Sequence, residues 1–132
     1  MAEKYILELS REQAIMVKDA CELYARLRLG QFNEITEKIL DVRNVKEYCE
    51  RRDLANDILK VAACIILGRN IHMQPDGKKD ALHNRAWNIY TAIRYKMAWH
   101  DNPEGGYSVC FDAPYPWGGE PVPKCTIIES EE

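Results

Sequence analysis

The sequence lacks a long hydrophobic run and an excess of positive charge. Its longest apolar stretch, Val61 to Leu67, is far shorter than the roughly 20 residues that a membrane-spanning helix needs. The formal net charge is -3, so a strongly basic surface for duplex nucleic acid is not expected. The N-terminus also lacks a basic stretch followed by an apolar one, which is the pattern of a secretory signal. These absences predict a cytoplasmic protein that binds neither membranes nor duplex nucleic acid.

Paired cysteines and closely spaced histidines are also missing. The five cysteines include no Cys-x-x-Cys spacing, so neither a disulfide framework nor a zinc ribbon is predicted. No two of the three histidines, His72, His83 and His100, are four residues apart, so we expect no metal site. Because no catalytic motif is present either, we expect a protein that is not an enzyme and that carries no cofactor.

The chain has 132 residues, of which 46% are hydrophobic and 30% charged. These values are typical of one globular domain, and we predict a single domain over residues 1–132. Four prolines and a Gly-Gly pair fall within residues 112–124. Such a composition predicts an extended, irregular segment inside that domain.

Most of the chain has helical periodicity. Ser10 and Gln13 form a capping-box pattern ahead of a helix over residues 11–29. A shorter helix follows, a third extends from the Asn44 cap to Gly68, and a fourth begins after Asp80 and ends near residue 100. Residues 58–67 are apolar nearly all round, so we expect them at the centre of the fold.

Three short segments alternate apolar and polar residues, which is typical of strands. They are residues 4–9, 107–111 and 125–129. The predicted fold is therefore α+β and mainly α: a bundle of four or five helices with a small antiparallel sheet formed by the N-terminal strand and the C-terminal tail. Because so small a sheet is marginal by itself, a second subunit is one of its expected supports, and we expect a homo-oligomer.

The last helix carries the most informative candidate site. His83, Trp87, Tyr90 and Arg94 follow one another at helical spacing and share a face. Two aromatic rings, an imidazole and a guanidinium in a row could stack on a base and bind a phosphate. The same pattern is also typical of aromatic side chains that pack in a core.

Four further residues are candidates for the same ligand. Arg28 could offer its guanidinium to an anion or simply complement the helix dipole. The amides of Gly105 and Gly106 could bind an anion, although turn formation alone explains this pair. Trp117 lies among prolines and glycines, where it could cover a ligand, contact a partner subunit or pack on its own core.

Two stretches resemble a group of small proteins encoded by phages and prophages of low-GC Gram-positive bacteria. One is ELYARLRLGQF at residues 22–32; the other is AWHDNPEGG at 98–106, followed by FDAP at 111–114 and GEPVPK at 119–124. No activity of that group can be transferred residue by residue. The resemblance implies a phage accessory gene, and such genes often encode counter-defence proteins that bind a host protein or a host nucleotide signal.

Two functional hypotheses follow. The first is a non-enzymatic protein that binds and sequesters a small anionic ligand, a nucleotide signal, through the residues named above. The alternative is an inhibitor or adaptor that binds a host defence protein, which the negative net charge favours. A nucleotide hydrolase is the least favoured hypothesis, because no paired carboxylates have metal-ligand spacing.

Overall fold

The computed structural model describes residues 2–41, 43–68 and 80–129. The predicted loop over residues 69–79 therefore lies outside the described residues. Four α-helices in these ranges agree with the helical part of the prediction. They are α1 (Arg11–Arg28), α2 (Asn33–Ile39), α3 (Val45–Leu67) and α4 (Ala81–Asp101), followed by the 3₁₀ helices Val109–Phe111 and Trp117–Gly119.

The predicted antiparallel sheet is wrong, since residues 2–41, 43–68 and 80–129 contain no strand. The N-terminal segment 4–9 has no regular secondary structure and no neighbouring strand among the described residues. In the second segment Ser108 accepts a hydrogen bond from the Cys110 amide and starts a 3₁₀ helix instead. In the third, 125–129, the backbone is irregular. Alternation alone cannot make a sheet, because a strand also needs a partner for its backbone groups.

The helix boundaries follow the predicted capping residues. Ser10 and Gln13 form a reciprocal capping box at the start of α1. Asn44 accepts a hydrogen bond from the Glu47 amide at α3, and Asp80 accepts from two amides of the first turn of α4. Each cap satisfies amides that a helix leaves unpaired at its first turn. Gly68 ends α3 with a φ of 66°, a left-handed conformation that favours glycine.

Helices α1 and α4 form a closely packed antiparallel pair. Arg11 at the start of α1 donates two hydrogen bonds to Asp101 at the end of α4, at 3.0 and 2.7 Å. At the opposite end, Nε of Arg28 donates to Asp80 over 3.1 Å. Between these two ion pairs Ala25 is completely buried. A side chain this small lets the two helix axes approach closely.

The C-terminal tail covers a second side of α4. Nε1 of Trp99 donates to the Phe111 carbonyl, and Asn88, about three turns earlier in α4, donates to the Glu120 carbonyl. Beyond Glu120 the tail returns, and Glu129 approaches the His100 imidazole to 3.4 Å. Helix α4 is therefore the central helix of the fold, with α1 on one side and the tail on another.

Helix α3 is not central, so the prediction for residues 58–67 is wrong. Among the helices that the structure describes, α3 packs only on α2. Ala63 is buried on that side. Four side chains on the opposite side are exposed by 60–75%: Leu54, Ile58, Val61 and Ile65.

None of the helices within 2–41, 43–68 and 80–129 is long and apolar enough to cross a membrane.

Candidate ligand-binding site

Helix α4 brings the four residues of the predicted row into contact. The His83 and Trp87 rings are stacked with centroids 6.0 Å apart, and the Tyr90 ring meets Trp87 edge-on at 5.0 Å. The Arg94 guanidinium lies 5.0 Å from the Tyr90 ring centroid and donates to the Tyr90 hydroxyl over 3.2 Å. His83 and Tyr90 are buried, whereas Trp87 and Arg94 are half-buried. The row is thus partly open to solvent.

Helix α1 adds a second guanidinium to this row. Arg26 lies 5.5 Å from the centroid of the Trp87 ring. It also donates to Oε1 of Gln31 over 3.1 Å and forms an ion pair with Glu22 at 3.3 Å. Each of the two large rings therefore has a cation near it, at distances that favour cation–π attraction.

Glu22 connects α1, α2 and α4. Its carboxylate accepts a hydrogen bond from Nζ of Lys38 at 2.8 Å and interacts with the Tyr90 hydroxyl. Burial acts to raise the pKa of Glu22, but the hydrogen bond and charge of Lys38, together with Tyr90 and Arg26, outweigh burial and lower it. Burial raises the pKa of the Tyr90 hydroxyl. The carboxylate is therefore ionised and the phenol neutral at pH 7.

The side chains around Glu22 and the row form what we call the α4 cluster. Its charged members are Glu22, Arg26, Glu34, Lys38 and Arg94. Three cations lie among these two carboxylates, and Asp19 adds a third negative charge that acts on Lys38. Within the described residues, Nε of Arg94 is buried and has no hydrogen-bond partner. Because a buried donor without a partner is costly, this nitrogen favours an additional acceptor.

Arg28 lies near the His83 end of the row, where its contact is with an anion of its own chain. Its partner Asp80 also caps α4 by accepting from the His83 amide. Burial acts to raise the pKa of Asp80, and the His83 amide and Arg28 outweigh it and lower that pKa. Arg28 thus fixes the start of α4 and with it the position of His83.

Gly105 and Gly106 lie at the other end of α4. His83 and Asp101 are separated by about 27 Å along the axis, at 1.5 Å per residue. A Cβ at Gly105, whose φ is +84°, would lie 2.9 Å from the Trp99 ring, and one at Gly106 would lie 2.6 Å from the Phe111 ring. The structure therefore gives both glycines a packing role in this turn and does not bring them to the row.

Trp117 lies in the tail and not in the row. It is half-buried and its ring meets Tyr115 edge-on at 5.6 Å. The same tail segment contacts α4 through Arg85 and Asn88. Steps of about 100° per residue place these two residues on a different face of α4 from Trp87. Trp117 and the row therefore belong to different sides of the helix.

A small cleft of about 230 Å³ lies between α2 and α3. Its lining residues are Gly30, Phe32, Asn33, Asn56 and Lys60. The Lys60 ammonium could bind an anion there, whereas Oδ1 of Asn56, which is buried without a partner among the described residues, favours a hydrogen-bond donor. Ligand pockets usually measure about 300–1,000 Å³, so this cleft has room for only part of a nucleotide.

Neither the contact of Arg26 with Trp87 nor the position of Lys38 beside Glu22 was predicted from the sequence. The Glu22–Arg26 pair has the spacing of four that can be recognised from sequence. Lys38 is 16 residues from Glu22, and no local pattern indicates a contact at that separation.

The described residues contain no group of three or more His, Cys, Asp or Glu side chains that could bind a metal ion; His72 is outside them. No known protein family, curated protein or solved structure matches this chain. The α4 cluster and the exposed surfaces are therefore the features from which a function can be proposed.

Proposed function

We propose that this protein binds and sequesters a small anionic ligand, a nucleotide, without converting it, and that it does so in the host cytoplasm as a phage counter-defence protein. The observation that carries the proposal is the half-open α4 cluster. It combines two aromatic rings with a guanidinium beside each of them.

The cluster has the chemistry that a nucleotide requires. The half-buried Trp87 ring offers a surface on which a base can stack, a contact worth about 1–3 kcal/mol per base. Arg94 is half-buried, so the exposed part of its guanidinium can approach a phosphate. Arg26 and Lys38 are held in place by Glu22, so they lose little side-chain entropy when they approach a phosphate.

Calorimetry against a panel of cyclic and linear nucleotides tests this proposal. We expect one nucleotide to bind the wild-type protein and to be recovered unchanged after incubation. Arg94→Ala should weaken binding at least tenfold. Arg85→Ala is the matched control, because Arg85 lies on another face of α4 and pairs with Glu120. This variant should bind the nucleotide as tightly as the wild type does.

Two results would count against the proposal. If no nucleotide in the panel binds, sequestration is rejected. If a bound nucleotide is hydrolysed, the protein is an enzyme and the hydrolase hypothesis replaces it.

A second candidate function, an inhibitor or adaptor of a host defence protein, is favoured by the N-terminal segment. Tyr5, Ile6 and Leu7 are exposed by 88%, 92% and 74% in a segment without regular secondary structure. Such a segment suits addition to the exposed sheet edge of a protein partner.

Capture from host lysate separates the two candidates. A protein that binds the wild type and Arg94→Ala but not Leu7→Asp supports the adaptor function. Equal capture by Leu7→Asp excludes the N-terminal segment as its binding site.

A further inference from the structure

We infer that α3 pairs with α3 of a second copy of this chain, in antiparallel orientation, through its exposed apolar side. We call this surface the α3 stripe: Leu54, Ile58, Val61 and Ile65. The inference concerns a surface that the α4 cluster does not include, so it does not depend on the proposed ligand.

The stripe has the spacing of a helix-pairing seam. Its residues are separated by four, three and four positions, the alternation that keeps apolar side chains facing a partner helix. Ala55 and Ala62 lie beside the seam, and their small side chains allow a close approach of two helices. The opposite side of α3 is covered by α2, whereas this second apolar side is largely exposed within the described residues.

A second copy fits because the stripe is complementary to itself under two-fold rotation. In antiparallel alignment Leu54 of one copy faces Ile65 of the other, and Ile58 faces Val61. Every layer is then apolar, and each contact occurs twice, as in an isologous interface.

Charge at the N-terminal end of α3 selects the antiparallel orientation. Glu47 and Arg51 continue the seam towards that end and form an ion pair at 3.6 Å within the helix. A parallel pair would place Glu47 against Glu47 and Arg51 against Arg51, which like-charge repulsion disfavours. In the antiparallel pair Glu47 and Arg51 of one copy lie beyond the α3 stripe of the other copy, so like charges do not face each other.

The exposed area is sufficient for such a pair. The four side chains of the stripe are 60–75% exposed. Burying them in two copies would remove on the order of 1,000 Å² from water, which is the lower limit for a specific interface. We therefore expect a dimer whose dissociation can be observed on dilution.

Light scattering coupled to size-exclusion chromatography tests the pairing. The wild type should be dimeric at high concentration, and Ile58→Glu should reduce its molar mass by half. Ile39→Glu is the matched control: Ile39 is 71% exposed but lies on α2 outside the stripe, so this variant should keep the wild-type mass. A monomeric wild type, or a dimer unaffected by Ile58→Glu, overturns the inference.

Mixing two variants tests the orientation and also checks folding. Val61→Lys should be monomeric alone, like Ile58→Glu. Mixed, they should form a heterodimer, because in the antiparallel pair the new carboxylate of one chain faces the new ammonium of the other. In a parallel pair position 58 faces position 58, so no such contact forms. Failure of the mixture to dimerise contradicts the antiparallel pair.

The ligand and the dimer can be tested separately. Ile58→Glu changes no residue of the α4 cluster, so calorimetry on this variant reports ligand binding without the dimer. Arg94→Ala leaves the stripe intact, so its molar mass reports the dimer without the ligand.

Discussion

Helices α4 and α3 reverse the usual relation between polarity and burial. Helix α4 buries Asn84, Asn88 and Thr91, whereas α3 exposes Leu54 and Ile65. The difference lies in what each helix has available to contact. The tail and α1 cover α4, and the tail provides a backbone carbonyl for Asn88, while among the described helices α3 has only α2 beside it. Burial in this chain is therefore decided by neighbouring elements as much as by side-chain polarity.

The largest effect should come from overfilling the α1–α4 contact. Ala25 is completely buried there, so Ala25→Leu should force the helices apart and reduce the free energy of unfolding by about 3 kcal/mol. Ala20→Leu on the exposed side of α1 is the control and should change it by less than about 0.5 kcal/mol. Urea denaturation measures both. Equal stability of the two variants would mean that α1 and α4 do not pack closely at Ala25.

A somewhat smaller effect should come from the buried polar side of α4. Asn88→Ala removes the hydrogen bond to the Glu120 carbonyl and should cost about 2 kcal/mol, because that carbonyl loses its partner. Arg85→Ala removes an ion pair of the same Glu120 residue, with an Arg85 side chain that is 59% exposed. It should cost less than about 1 kcal/mol, as exposed ion pairs do. If the order of the two costs is reversed, the tail does not hold α4 through Asn88.

The next effect depends on pH and concerns Glu22. Its pKa is lower in the folded chain than in the unfolded one, so its contribution to stability is complete above the unfolded pKa of about 4.3. This contribution is lost as the pH falls through the folded pKa. The wild type should exceed Glu22→Gln in the free energy of unfolding at pH 7, and the difference should narrow towards pH 3. A constant difference across urea titrations at these pH values would contradict the lowered pKa.

The smallest effect should come from α3 in the isolated chain. Leu54 is 64% exposed, so Leu54→Ser should change the free energy of unfolding by less than about 0.5 kcal/mol at concentrations too low for pairing. At high concentration the same change should lower the thermal midpoint, because the wild type gains stability from association. A large loss already at low concentration would place Leu54 inside the single-chain core.

The sequence predicted the features that depend on local chemistry. Ser10, Asn44 and Asp80 cap helices as expected, because a capping hydrogen bond joins residues only two or three positions apart. The spacing of His83, Trp87, Tyr90 and Arg94 was likewise sufficient to predict that they share a face of α4.

What the sequence could not predict depends on contacts between distant segments. An asparagine within a helix, such as Asn88, is usually expected to face solvent. Asn88 is buried because the tail supplies a carbonyl acceptor 32 residues later. The apolar residues of α3 indicated a helix buried all round. A sequence does not reveal whether the element that buries the second apolar side belongs to the same chain or to another copy. The predicted sheet was wrong for a similar reason, because alternation in segment 4–9 predicts a strand without providing its neighbour.

The molar mass of the wild-type protein across a dilution series tests most directly whether the uncovered side of α3 is an interface. We predict that the mass falls from twice the chain mass of 15.3 kDa to that single-chain value on dilution, and that Ile58→Glu gives the single-chain value throughout. A wild-type mass that stays at the single-chain value at the highest concentration would contradict the account.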